Sequence, residues 1–217
     1  MSKNLTEVLF IIDKSGSMQG LVDDTIGGFN SFIESQKELE GTIKLTTVLF
    51  SSGHYKLHNG VDVREIEGLS RNDYSPGGMT AMLDAIGDSI NELQKRIDDT
   101  PVEERPKKVV CVITTDGQEN SSHMFTKSQV QTMIEHQTKG HGWEFVFLGA
   151  NMDAVTEAGS LGINYAATYI PDSIGTSTVY AAATKAVADA HLHDSISSDW
   201  CHAVSEYANA SVDGLKQ

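Results

Sequence analysis

The side chains best suited to chemistry lie in one short polar segment near the start of the chain. An apolar run over residues 8–12 ends in Asp13, and Ser15 and Ser17 follow at alternate positions. One carboxylate and two hydroxyls supply oxygen donors without sulfur or imidazole, which is the ligand chemistry of a hard divalent cation. A second apolar run, much later in the chain, ends in another acid, Asp116. The sequence therefore offers two places where oxygen ligands follow a buried strand.

Strand and helix patterns alternate along nearly the whole chain. Such alternation predicts right-handed βαβ units. We therefore expect an α/β fold with a doubly wound, mainly parallel sheet of about six strands and helices on both faces. The predicted strands cover residues 8–12, 42–50, 109–115, 143–148 and 163–170, and the predicted helices cover residues 21–33, 83–97, 126–134, 152–158 and 173–192.

One pair of strands is predicted to be antiparallel. Residues 54–57 and 61–66 roughly alternate between apolar and polar types, and Asn59-Gly60 lies between them. Asn-Gly is a strong hairpin signal, because both residues tolerate the positive φ angles of a tight turn. We therefore expect a hairpin centred on Asn59-Gly60 and an antiparallel edge on the sheet.

The predicted topology brings the polar residues together. In parallel sheets, ligands bind beyond the carboxyl ends of the strands, at the point where the strand order reverses. If the chain starts in the middle of the sheet, the strands that end in Asp13 and Asp116 are neighbours, and Ser15 and Ser17 lie in the same crevice. Thr80 follows a glycine-rich loop at the start of a helix, so it can enter this crevice too.

These residues resemble the metal-ion-dependent adhesion site (MIDAS) of von Willebrand factor A (vWA) domains. The resemblance covers about residues 6–170, and it is closest to the small stand-alone bacterial and phage members. It implies a Rossmann-like fold and a metal site made of all five residues. The matching segments are Asp13-Lys14-Ser15-Gly16-Ser17 after Phe10-Ile11-Ile12, Thr80 within Met79-Thr80-Ala81-Met82-Leu83-Asp84-Ala85-Ile86, and Asp116 within Ile113-Thr114-Thr115-Asp116-Gly117.

The resemblance also implies a role for each matching residue. Ser15 and Ser17 would bind the metal directly, Thr80 directly or through water, and Asp13 and Asp116 mostly through water. The implied metal is Mg²⁺ or Mn²⁺ rather than Ca²⁺. Neutral hydroxyl ligands leave most of the ion's charge in place, so an open coordination position attracts an Asp or Glu of a partner protein. The expected function is thus metal-dependent protein binding without catalysis.

Several alternatives stay open at this point. Asp13 to Ser17 can cap the following helix or cradle a phosphate there, although the segment lacks the lysine and glycine spacing of a P-loop. Haloacid-dehalogenase-like phosphatases also place an acid after a first strand and use Mg²⁺, but Ser15 stands where they have a second aspartate. An adaptor role for an ATPase machine would be a form of binding. A second metal site at His191, His193, Cys201 and His202 matches no closed zinc pattern.

Composition narrows the classes of partner and compartment. The net charge of −14 disfavours nucleic acid and anionic membranes as partners, because both attract basic surfaces. No stretch is apolar enough for a membrane span, and residues 1–4 resemble no secretory signal, so we expect a cytoplasmic protein. Two cysteines do not suggest a disulfide framework. Because the pattern weakens after His193, we expect a vWA-like domain over residues 1–193 and a C-terminal segment, helix or tail, over residues 194–217.

Overall fold

The computed structural model describes residues 4–214 of the chain, with side chains as far as residue 211. Residues 1–3, at the start of the expected domain, and residues 215–217, at the end of the expected C-terminal segment, lie outside the described residues. The strands are β1 (Leu5–Asp13), β2 (Thr42–Phe50), β3 (His54–Asp62), β4 (Lys108–Thr115), β5 (Glu144–Ala150) and β6 (Tyr165–Tyr169). The helices are α1 (Val22–Lys37), α2 (Met82–Asp98), α3 (Lys127–His141), α4 (Ala154–Ser160), α5 (Ser173–His193) and α6 (His202–Gly214).

The six strands form one sheet in the order β3-β2-β1-β4-β5-β6. All neighbouring strands are parallel except β2 and β3, so the predicted α/β fold with one antiparallel edge strand is confirmed. The chain starts in the middle of the sheet, and β1 lies between β2 and β4. The strand order therefore reverses beside β1, and the carboxyl ends of β1 and β4 are adjacent.

The central strand explains why its sequence is an unbroken apolar run. Val8, Phe10 and Ile12 pack in a cluster with side chains of α1 and α5, whereas Leu9 and Ile11 pack in a second cluster with side chains of α2, α3 and α4. All five side chains are fully buried. A strand that is covered on both faces has no polar side, so its sequence shows no alternation.

The predicted hairpin at Asn59-Gly60 is wrong. Residues 54–62 form the single strand β3, and the chain reverses earlier, where the Ser51 N–H donates to the Gly53 carbonyl at 2.7 Å. The positive φ of Gly60, 66°, falls where the register between β2 and β3 shifts. The glycine signal therefore marks a bulge within a strand rather than a turn, because both structures use the same left-handed backbone conformation.

The C-terminal segment packs on the same core as the sheet. Ile196, Trp200 and Val204 are buried in the cluster that also contains α1 and α5. The Trp200 ring meets the Tyr165 ring of β6 edge to face, with 6.3 Å between the centroids. The boundary at residue 193 coincides with a change in sequence pattern, and as a domain boundary it stays a prediction.

Two observations bear on the expected compartment and redox state. Within residues 4–214, no helix combines the length and the apolar character that crossing a membrane requires. Cys111 is fully buried and Cys201 is half-buried, and both are free thiols. Burial raises the pKa of the Cys111 thiol well above its ordinary value, as expected for an inert core residue.

Helices α1 and α5 approach closely at one glycine. A Cβ atom at Gly28 would lie 2.4 Å from the Tyr180 Cδ2 atom, whereas a Cβ atom at the preceding Gly27 would meet nothing within 4 Å. The Tyr180 ring is buried and packs near Phe10, with 5.9 Å between the ring centroids, so it has little room to move. The absence of a side chain at Gly28 is what permits this helix contact.

The two glycines predict opposite effects of alanine on stability. Gly28→Ala is expected to lower the free energy of unfolding by about 1–3 kcal/mol, because it overpacks the contact with Tyr180. Gly27→Ala is expected to raise it by about 0.5–1 kcal/mol, because alanine favours the helix and the site is open. Urea denaturation followed by circular dichroism measures both. Equal effects of the two substitutions would contradict the proposed close contact.

Candidate metal centre

The structure brings the predicted oxygen ligands together at the carboxyl edge of the sheet. Asp13 ends β1, Asp116 directly follows β4, and Ser15 and Ser17 lie in the β1–α1 connection. The Ser15 and Ser17 hydroxyl oxygens are 3.0 Å apart. The Ser17 hydroxyl donates a hydrogen bond to Asp116 Oδ1 at 2.5 Å. Residues from two distant parts of the chain are therefore in direct contact.

Thr80 faces the same space from a third loop. A Cβ atom built on Gly117 would lie 3.7 Å from both the Thr80 Oγ1 atom and the Ser17 Oγ atom. The Thr80 backbone is held by Asn120, whose Oδ1 atom accepts the Thr80 N–H at 2.8 Å and whose N–H donates to the Thr80 carbonyl at 3.1 Å. Thr80 and Ser17 thus both lie beside Gly117, and Ser17 in turn contacts Ser15 and Asp116.

Backbone hydrogen bonds fix the β1–α1 connection to the loop that carries Thr80. The Gly16 N–H donates to the Gly78 carbonyl at 3.1 Å, and the Gly77 N–H donates to the Lys14 carbonyl at 2.8 Å. These bonds involve main-chain atoms only, so they do not depend on which side chains stand at neighbouring positions such as Lys14 and Met79. Such bonds require the two backbones to approach closely, and the glycines before Thr80 permit this because they carry no side chain.

The Asp13 carboxylate is fixed at both oxygens. Oδ1 accepts the Ser15 N–H at 2.7 Å, and Oδ2 accepts the Thr115 hydroxyl at 2.6 Å. The buried Tyr74 hydroxyl donates to the Asp13 backbone carbonyl at 2.6 Å. Asp13 itself is fully buried, so its orientation is determined by these protein donors rather than by water.

Among the described residues, no basic side chain lies beside the two carboxylates of the site. Asp13 and Asp116 are buried, and among the described residues no Lys, Arg or His lies within ion-pair distance of either carboxylate. Burial raises the pKa of both carboxyls, and the nearby Asp116 raises the pKa of Asp13 further. The adjacent Lys14 ammonium lies over the Tyr55 ring, 5.1 Å from its centroid.

The donor set fits a small divalent cation. Two oxygens that occupy neighbouring positions of an octahedron, each about 2.1 Å from Mg²⁺, are about 3.0 Å apart. The Ser15 and Ser17 hydroxyl oxygens have this separation. The Ser15–Ser17 contact is also a hydrogen bond, and because the Ser17 hydroxyl donates its proton to Asp116, Ser17 accepts the Ser15 proton and keeps one lone pair for a metal ion.

The sequence did not reveal two acids that support the loops around Thr80 and Asp116. Neither Asp84 nor Glu119 is among the site residues predicted from the sequence. Asp84 is 6% exposed, and its carboxylate accepts the N–H groups of His123, Met124 and Phe125 at 2.8–2.9 Å. Glu119 accepts the Leu83 N–H at 2.9 Å, so the two acids tie the start of α2 to the segment after Asp116. The long polar loop was the only available signal, because its many backbone N–H groups need acceptors.

The second metal site considered from the sequence has no structural support within residues 4–214. In that part of the chain, no group of three or more His, Cys, Asp or Glu side chains is arranged to hold a metal ion. The buried His191 ring instead makes two hydrogen bonds, with the Thr6 hydroxyl at 2.7 Å and the Glu40 carbonyl at 2.6 Å. His202 pairs with Glu206, with 3.4 Å between nitrogen and oxygen.

The Asp84 interaction predicts a pH-dependent contribution to stability. Burial alone would raise the pKa of this carboxyl, but the N–H groups of His123, Phe125 and Met124 outweigh burial and lower the pKa. The contribution is therefore present above the unfolded-state pKa of about 3.9, and it is lost as the pH falls through the lower folded-state pKa. Asp84→Ala is expected to reduce the free energy of unfolding at pH 7 by about 1–3 kcal/mol.

Urea denaturation between pH 7 and pH 3 measures this effect. The difference from the wild type should shrink as the pH falls below about 4. Asp88→Ala, one turn further along α2, is the matched control, because Asp88 makes only a partly exposed pair with His54, 3.3 Å apart. A difference that is the same at both ends of the pH range, or an equal effect of the control, would contradict the assigned role.

Comparison with known proteins identifies the fold. No protein-family profile matches the sequence, and no curated protein matches it. Among solved structures, proximal thread matrix protein 1 from the mussel byssus matches with a TM-score of 0.58 at 16% identity, over 86% of this chain and 46% of that chain. The vWF domain of the type V pili tip protein Mfa5 from Porphyromonas gingivalis matches with a TM-score of 0.58 at 10% identity, over 91% and 99%. Manganese-loaded TRAP protein from Plasmodium vivax matches with a TM-score of 0.54 at 20% identity, over 77% and 70%.

These matches support the α/β architecture that the sequence predicts. This chain spans about half the length of the mussel protein, 46% in this superposition. The mussel protein has also been solved with a zinc-occupied MIDAS motif, and the Plasmodium vivax protein was solved with manganese. At identities of 10–20%, the likeness concerns the fold. The chain has the fold of a von Willebrand factor A domain.

Proposed function

We propose that this chain is a metal-dependent protein-binding module. The proposal assigns a divalent cation to Asp13, Ser15, Ser17, Thr80 and Asp116, and it assigns an Asp or Glu side chain of a partner protein to the open coordination position. The observation that carries it is the meeting of three hydroxyls with two buried carboxylates that lack a compensating cation. The metal-bound structures with the same fold are in keeping with it.

The proposed division of roles follows from the contacts of each side chain. Ser15 and Ser17 would bind the ion directly, because their hydroxyl oxygens are spaced like neighbouring ligands. Thr80 would bind directly or through water. Asp13 and Asp116 already accept hydrogen bonds from Thr115 and Ser17, so they would act mostly through metal-bound water.

This division suits the capture of a carboxylate. A divalent cation held mostly by neutral hydroxyls supplies the positive charge that attracts an external anion. Because the ligand spacing matches a small octahedral ion, we propose Mg²⁺ or Mn²⁺ in preference to Ca²⁺, which takes six to eight oxygens at longer distances.

We propose binding rather than catalysis. A haloacid-dehalogenase-like phosphatase would need a second acid where Ser15 stands, and the ammonium of Lys14, which follows Asp13 in the chain, lies over the Tyr55 ring. Binding to an acidic residue of an ATPase subunit would be one form of the proposed function. Nothing in the site favours an ATPase over other proteins, so the proposal is limited to the chemistry of the partner's side chain.

A pair of neighbouring threonines tests the metal site. Thr115→Val removes the hydroxyl that orients Asp13, and it is expected to weaken the binding of Mn²⁺ by about 10–100-fold, as is typical for residues that orient metal ligands. Thr114→Val is the matched control, because the neighbouring Thr114 hydroxyl faces Tyr180 and makes no hydrogen bond to Asp13 or Asp116 among the described residues. Titration with Mn²⁺, followed by electron paramagnetic resonance of the free ion, measures the affinity.

Two outcomes would contradict the assignment of the metal. One is a wild-type protein that binds no Mn²⁺ or Mg²⁺ at millimolar concentration. The other is an equal affinity for Mn²⁺ in the Thr115→Val and Thr114→Val proteins. Circular dichroism of each variant separates a loss of the site from a loss of the fold.

Selection from a random peptide display library tests the capture of a carboxylate. Peptides retained in Mg²⁺ and eluted by EDTA are expected to be enriched in Asp and Glu, because only a carboxylate completes the proposed coordination. Asp13→Ala, with an unchanged circular dichroism spectrum, should retain none of them. Selection of the same peptides in EDTA, or by the Asp13→Ala protein, would overturn the proposed function.

A further inference from the structure

The exposed apolar side chains are distributed unevenly over the molecule. Among the residues whose side chains the structure describes, seven large apolar side chains are exposed. Five of them lie in connections at the carboxyl edge of the sheet, the edge that holds the candidate metal site. These five are Tyr55, Met79, Met124, Val155 and Ile174, whereas Val102 and Leu192 lie at the opposite edge.

The topology explains this placement. Four of the five lie in a loop that follows the carboxyl end of a parallel strand, or in the first residues of the element that the loop enters. The fifth, Met79, follows the antiparallel strand β3 and is held at this edge by the backbone hydrogen bonds of Gly77 and Gly78 to the β1–α1 connection. Two of those loops, the ones that contain Met79 and Met124, also carry a candidate metal ligand, Thr80 and Asp116 respectively. An apolar side chain that is exposed to water costs free energy, and a concentration of such side chains on one surface is typical of a protein-binding site.

Tyr55 and Met79 lie next to the metal site itself. Met79 immediately precedes Thr80, is 53% exposed, and its N–H donates to the Ser52 hydroxyl at 2.8 Å. Tyr55 is 42% exposed, and its ring lies beneath the ammonium of Lys14, which is between Asp13 and Ser15 in the chain. Met79 therefore lies in the loop that carries Thr80, and Tyr55 lies just after the β2–β3 turn, against Lys14 of the β1–α1 connection.

The charges at this edge restrict the partner further. Arg71 and Lys127 are engaged by Asp23 and Glu157. Among the described residues, Lys14 has no carboxylate within ion-pair distance, and its ammonium lies over the Tyr55 ring. The protein as a whole carries a net charge of −14, so a strongly acidic partner surface would be repelled. A single carboxylate in an apolar setting avoids this repulsion.

We propose that the partner presents one Asp or Glu between apolar side chains, and that Tyr55 and Met79 bind those apolar side chains. This inference rests on the proposed function, and it adds the class of sequence that the module recognises. The carboxylate would be held at the metal site, and the neighbouring apolar groups would be removed from water against Tyr55 and Met79.

Two synthetic peptides test the inference. In one peptide a single aspartate is flanked by two leucines on each side, and in the other serines replace the leucines. Fluorescence anisotropy of the labelled peptides in Mn²⁺ is expected to show roughly tenfold tighter binding of the leucine peptide, because buried apolar contacts dominate small interfaces. The double substitution Tyr55→Ser and Met79→Ser should abolish this preference and leave the affinity for Mn²⁺ unchanged.

Substitution of the exposed apolar residues at the opposite edge provides the matched control. Val102→Ser with Leu192→Ser should retain the full preference for the leucine peptide. Equal binding of both peptides, no binding of either, or a preference that survives Tyr55→Ser with Met79→Ser would overturn the inference. Binding of the leucine peptide in EDTA that still requires Tyr55 and Met79 would support the apolar surface while contradicting the metal proposal, so the two can fail separately.

Discussion

Two carboxylates that are buried without a balancing cation place the strongest constraint on this structure. Removing a charge from water is costly unless a partner compensates for it, and Asp13 and Asp116 have only hydroxyl and backbone donors around them. The raised pKa of each carboxyl expresses the same cost. Both carboxylates lie at the point where the strand order of the sheet reverses. A divalent cation is the simplest group that would offset this cost.

The rest of the fold serves to bring these carboxylates together and keep them in place. A parallel sheet that begins with its central strand makes β1 and β4 neighbours, although Asp13 and Asp116 are far apart in the sequence. The buried clusters on the two faces fix the strands, and Tyr74, Thr115 and Asn120 fix the loops. Packing thus determines where the loops start, and hydrogen bonds determine where their side chains point.

Much of this arrangement could be predicted from the sequence, because the signals were local and strong. The apolar run before Asp13 predicted a buried strand. With β1 placed in the middle of the sheet, the strands that end in the two acids become neighbours, which predicted that Asp13 and Asp116 lie close together. Asn59-Gly60 misled, because a turn and a bulge use the same backbone conformation. The role of Asp84 could not be predicted either, because its partners are backbone N–H groups about forty residues away, and a backbone group leaves no mark in a sequence.

The backbone hydrogen bonds between the two glycine-containing loops have a consequence for how such a module can diversify. Gly16 bonds to Gly78 and Gly77 bonds to Lys14 through main-chain atoms alone. Side chains at Lys14 and Met79 can therefore be exchanged in evolution, or by design, without disturbing the loop positions that carry Ser15 and Thr80. One scaffold can in this way acquire new binding preferences through a few surface substitutions, while the proposed ion site is inherited unchanged.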